Sequence, residues 1–177
     1  MKAIPCVTAF AALVGGIALH AQQPTEAKPA EPERIQVTFV DPEKFTDFTS
    51  EYLARDSGRE HLSEEFRKHI EWLGNQLLPE GQRLEVRFVD IDLAGDFEPW
   101  RGPQYDDIRI VKDLYPPRVD LEFRLLAADG SVVREGRREL RDLGFMMNTA
   151  LPQSDPLRHD KALLSDWMRR EFKRPKK

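Results

Sequence analysis

Asp90, Asp92 and Asp96 make the segment Asp90-Ile91-Asp92-Leu93-Ala94-Gly95-Asp96 the richest acidic stretch of the chain. Carboxylates at this spacing can ligate a hard cation, and Gly95 stands where a calcium loop turns. Two positions break that pattern. Ala94 replaces a ligand, and Arg101 stands where a bidentate glutamate belongs. Ile91 and Leu93 alternate with the aspartates, as in a strand. The plainer reading is a strand end whose aspartates cap the next turn or pair with arginines. Arg109 and Arg118 are the arginines within reach.

The loop that follows, Ala94 to Asp107, carries Phe97, Trp100, Arg101 and Tyr105. Aromatic rings beside a guanidinium could grip a sugar, a peptide or a partner surface. Alternatively, Trp100 folds back as a lid over one end of the core. Asp90, Asp92 and Asp107 form the carboxylate set for a rival reading, a metal-assisted hydrolase. Other chemistry has little support. His61 and His69 are eight residues apart, not the four that would bring two ligands together, and His159 lies far along the chain. No GxSxG, HExxH or glycine-rich phosphate loop occurs in the expected domain. The residue set asks for no cofactor and no resident metal, and it favours a binding module over an enzyme.

The elements that must position these residues are read from periodicity. In Ile35-Gln36-Val37-Thr38-Phe39 apolar and polar residues alternate, which is strand spacing. Leu62, Phe66, Ile70, Leu73 and Leu77 recur at helical spacing and form one apolar stripe, stopped by Pro79 and Gly81. Gly74 beside that stripe is a place where a strand could approach closely. The next strand changes parity. Leu84, Val86 and Phe88 lie on one face, and Val89, Ile91 and Leu93 on the other. Either both faces are covered, or a bulge near Phe88-Val89 resets the alternation. Without a bulge, Asp90 and Asp92 would share the core face and need partners.

Ile108 to Val111 is a short strand, and Pro116-Pro117 breaks the chain. Val119, Leu121, Phe123 and Leu125 then alternate cleanly. Asp129-Gly130 signals a hairpin whose second strand is Ser131 to Leu140. Pro156 opens a last helix with Leu157, Leu164, Trp167, Met168 and Phe172 on its apolar side. The expected fold is α+β, in the order β-α-β-β-β-β-α. A mostly antiparallel sheet of four or five strands packs one face against two helices.

Residues 1–21 read as a secretory signal peptide. Lys2 precedes an uncharged, mostly apolar run from Ala3 to Leu19, and small residues lead to Ala21. The run is shorter than the ~20 residues of a spanning helix, and Pro5, Gly15 and Gly16 weaken it further. Cleavage after Ala21 would leave 177 − 21 = 156 residues, enough for one domain. Cys6, the only cysteine, would leave with the signal. The remaining 26 basic and 31 acidic residues give a net charge of −5, which argues against nucleic acid as partner. Residues 22–34 hold three prolines and no large apolar group, and read as a disordered linker. The domain spans 35–172, and 173–177 form a basic tail. No second apolar stretch predicts stable membrane insertion after cleavage.

Five segments carry a family resemblance: VTFVDPEKFTD (Val37–Asp47), LPEGQRLEV (Leu78–Val86), DIDLAGDFEP (Asp90–Pro99), DIRIVKDLYPPRVDLEF (Asp107–Phe123) and LLSDWMRREF (Leu163–Phe172). The chain resembles a family of uncharacterised secreted proteins, a domain of unknown function found mainly in Gram-negative bacteria. The resemblance covers the whole expected domain and implies a periplasmic home. It brings no activity, substrate, cofactor or catalytic residue. The expectation is a periplasmic binding or accessory module for an envelope protein or polysaccharide. Its face would include Asp90, Asp92, Asp96, Trp100, Arg101 and Tyr105.

Overall fold

The computed structural model describes residues 33–49, 55–148 and 151–172. The expected signal peptide, the linker up to residue 32 and the basic tail lie outside the described residues. The elements run β1 (Ile35–Phe39), α1 (Arg55–Leu77), β2 (Arg83–Asp92), β3 (Asp96–Phe97), β4 (Arg109–Ile110), β5 (Arg118–Leu126), β6 (Val132–Arg141) and α2 (Arg158–Phe172). Four strands form the main sheet in the order β1-β2-β5-β6. β1 runs parallel to β2, and the other two pairings are antiparallel. A parallel pair needs a crossover, and α1 supplies it. This is the expected α+β architecture.

The apolar stripe of α1 is the reason it packs on the sheet. Phe66 is fully buried, with edge-on contacts to Phe48 and Phe88 at 5.8 Å between ring centres. α2 brings Leu164, Trp167, Met168 and Phe172 to the same face, where Trp167 and Phe172 meet Phe123. The opposite face of the sheet carries cross-strand charge pairs such as Arg87–Glu122 and Arg124–Glu85. Arg34, the last residue of the expected linker, belongs to the domain: its guanidinium donates to the carbonyls of Leu78 and Pro79.

Gly74 has the role its position suggests. A Cβ there would run into Cδ1 of Ile35, so the missing side chain lets β1 lie close against α1. Gly74→Leu is expected to destabilise the fold by about 1–3 kcal/mol through overpacking, read as a lower urea midpoint at unchanged slope.

The parity break in β2 is a bulge. The register slips between Phe88 and Asp90, so that Phe88 faces Leu121 while Asp90 faces Asp120. Val89 is the extra residue. Leu84, Val86, Phe88 and Ile91 are therefore all fully buried on one face. Asp90 and Asp92 turn to the other face, where a carboxylate can reach solvent and partners.

Two details differ from the periodicity. The strand expected at Ile108–Val111 does not join the main sheet. Its central residues form β4, which pairs with β3, a two-residue strand inside the expected loop. The small hairpin forms because Gly95, at φ 86°, turns the chain straight out of β2. A Cβ at Gly95 would sit 2.9 Å from the carbonyl oxygen of Ile110.

Candidate functional site

The acidic strand end is built as a capped and paired turn. Asp90 accepts the Thr46 backbone N–H at 2.6 Å and the Thr46 hydroxyl at 2.7 Å. Asp92 pairs with Arg118 at 3.4 Å. Burial pushes the Asp92 carboxyl up against the pull of Arg118, and Asp47, Asp90 and Asp96 add to the rise. Asp96 accepts the N–H of Phe97. Arg109 goes to a different partner from those the sequence suggests. Its guanidinium forks onto Asp47, 62 residues away, with contacts of 2.6 and 3.1 Å. It also donates to the carbonyls of Thr49 and Gly95 and lies over the Phe97 ring at 4.6 Å.

Among the described residues, no three His, Cys, Asp or Glu side chains are grouped so as to hold a metal ion. The set Asp90, Asp92 and Asp107 accordingly does not form such a group. Asp107 is exposed in the loop, whereas the other two are engaged by Thr46 and Arg118.

The aromatic loop has a buried anchor that its sequence does not advertise. Glu98 is only 2% exposed. Lys112 donates to both of its oxygens at 2.6 and 2.8 Å, the Tyr115 hydroxyl adds 3.0 Å, and Arg101 closes the cluster at 2.5 Å. The Lys112 ammonium, with Tyr115 and Arg101, holds the Glu98 carboxyl below the usual carboxylate range. These contacts tie both limbs of the loop together. Trp100 projects from it and is 71% exposed, so it does not close over the core. Leu114, on the returning limb, is also 71% exposed. The backbone of Tyr105 ends a short 3₁₀ turn, and its side chain lies outside the described residues.

A second feature lies beyond the C-terminal end of β2. A cavity of about 410 Å³ opens between the first turns of α2 and the N-terminal half of α1. Leu62, Leu93, Ala94, Pro156 and Leu157 form its apolar walls. Arg109 reaches it from β4, and Lys161 from α2. Lys161 sits between Glu65 and Asp155, 2.9 Å from each. Burial works against its charge, yet the hydrogen bonds to Asp155 and Glu65 outweigh it and hold the ammonium above its usual range.

Asp160 also lines the cavity and is 1% exposed. Its Oδ1 accepts the N–H of Ala94 at 2.9 Å. Burial pushes its carboxyl up to about 7, although the Ala94 N–H and the distant Arg109 charge favour the anion. Sequence reasoning missed this residue, but a signal was present. Leu157, Asp160, Leu164, Trp167 and Met168 fall on one helical stripe, so Asp160 is a carboxylate at a core-facing position.

The histidines take structural places. His69 Nε2 lies 2.9 Å from both the Lys161 carbonyl and the Ser165 hydroxyl, at the contact between the two helices. Burial lowers its proton affinity. His159 is buried edge-on against Phe145. His61 is exposed at the cavity rim.

The arrangement can bind, and it can move one proton at Asp160. Ser165 and His69 are in contact, but the hydroxyl is buried and also donates to the Lys161 carbonyl at 2.7 Å, so the pair serves the contact between the two helices. No helix among them is long and apolar enough to cross a membrane. No curated protein and no solved structure matches the chain. One family model does match, over residues 33–170, nearly the whole of the described domain, and its description is "Protein of unknown function (DUF3016)". The chain belongs to the DUF3016 family of proteins of unknown function.

Proposed function

We propose that this protein is exported to the periplasm and works there as a binding or accessory module for an envelope protein, engaged through the loop that carries Trp100. The observation that carries the reading is a large aromatic ring held out in solvent by a buried brace. Flexible loops lose entropy when they bind, and Glu98 has already fixed this one. Tryptophan and arginine are the residue types that dominate protein interfaces. Leu114 adds apolar surface on the same excursion, and Arg101 a half-exposed charge. Export rests on the uncharged run from Ala3 to Leu19 and the small residues before Ala21.

Two experiments test this. In cells, the full chain should fractionate with the periplasm and begin at Gln22 by mass spectrometry. Retention in the cytoplasm with Met1 intact would remove the export step. For the surface, a photo-crosslinking amino acid is placed at position 100 and, as a control, at Arg87 on the outer sheet face. A discrete protein adduct specific to position 100 is expected. Trp100→Ala should then weaken binding to that isolated partner by roughly 30-fold, while shifting the melting temperature by no more than about 2 °C. Equal adducts from both positions, or none, would overturn the assignment. Co-sedimentation with polysaccharide that depends on Trp100 would move it to a polymer.

A further inference from the structure

Trp100 does not line the cavity beyond β2, and the charges around the cavity do not cancel. Arg109 and Lys161 supply two positive charges, but both are committed. Arg109 is held by Asp47, and Lys161 by Glu65 and Asp155. Two cations thus face three carboxylates before Asp160 is counted, and ionised Asp160 brings the group to two negative charges. Asp160 forms no ion pair among the described residues, and its Oδ1 accepts the Ala94 N–H. An anion entering here meets repulsion and finds both cations occupied. A neutral apolar molecule fills the walls but leaves the carboxylate without a counter-charge. A cation with an apolar body satisfies both.

Size and place agree with this choice. About 410 Å³ is within the range of small-molecule sites. The cavity opens between α1 and α2 just past the end of β2, and the space between helices is a common place for a ligand. We propose that the cavity is a binding site for a small organic ammonium compound, whose apolar body lies against Leu62, Leu93 and Leu157 and whose ammonium pairs with Asp160. Occupancy then depends on pH. The site is charged for its ligand only when Asp160 has lost its proton. Arg109 from β4, Asp47 before α1, His61 and Glu65 of α1, and Asp155 and Lys161 around the start of α2 also face or flank it.

The probe is 2-phenylethylammonium, with neutral 2-phenylethanol and anionic 3-phenylpropionate as matched controls. Binding to the purified protein is followed by calorimetric titration and by amide shifts at Leu93, Ala94 and Leu157. At pH 8 the ammonium should bind at least tenfold more tightly than either control. Its affinity should fall more than tenfold at pH 5, and the fall should persist in His61→Gln. Asp160→Asn, which keeps an acceptor for the Ala94 N–H, should cost at least tenfold. Lys161→Met, which removes a positive charge, should strengthen binding. Equal binding of the alcohol, affinity that ignores both pH and Asp160→Asn, or no saturable binding of the ammonium would overturn the proposal.

Discussion

Asp160→Asn is expected to raise the melting temperature by roughly 8 °C at pH 8 and to change it little at pH 4. The reason is a linkage. Burial lifts the Asp160 carboxyl from 3.8 to about 7 in the folded protein. Between those values the folded state keeps a proton that the unfolded chain has released. Stability from this group is therefore fully present below about pH 4 and is lost as pH rises through 7. That rise of the carboxyl corresponds to about 4 kcal/mol once both states are ionised. An asparagine amide accepts the Ala94 N–H without that charge, but its NH₂ group needs a partner in the cavity. The net gain at pH 8 is accordingly about 3 kcal/mol. Calorimetric scans of both proteins across pH 4–8 check it. The curves should converge at the acid end, and a constant offset across the range would show that Asp160 does not carry the titration.

Arg109→Met is expected to cost about 3 kcal/mol and to lower the melting temperature by roughly 9 °C. The methionine keeps most of the stem but removes the fork. Asp47 is then left largely buried without its cation, and the carbonyls of Thr49 and Gly95 lose a donor. Breaking a buried pair from one side is costly because the other charge stays behind. Adding Asp47→Asn should recover part of the loss, and the double-mutant cycle should show coupling of more than about 1 kcal/mol. Additive losses would mean that the pair contributes nothing beyond its separate members. The Arg109 charge also favours ionised Asp160. Arg109→Met should therefore move the Asp160 titration upward, visible in the carboxyl carbon shift.

The bulge shows why part of the fold was readable and part was open. Leu84, Val86, Phe88 and Ile91 are all apolar, but their spacing of two, two and three admits two structures. Pairing with β5 decides between them, because only a slipped register puts all four residues on the helix-covered face. Trp100 is a similar case. An aromatic residue in a proline-rich loop can fold in or stand out, and the Lys112–Glu98–Tyr115 brace sets which occurs.

By itself the sequence determined the two helices, the four strands of the main sheet and the α+β class. Those features follow from neighbours two to four residues apart, where side-chain direction is set by backbone geometry. It also marked the acidic strand end and the aromatic loop as unusual. Only the tertiary structure decided what those residues touch. Arg118 takes Asp92, Arg109 takes Asp47, and Glu98 gathers a lysine, an arginine and a tyrosine. A charge cannot name its partner from local spacing, because every aspartate in the chain offers the same carboxylate. Burial singles one out. Asp160 becomes different from the rest because the fold encloses it beside Ala94, with no cation paired to it among the described residues.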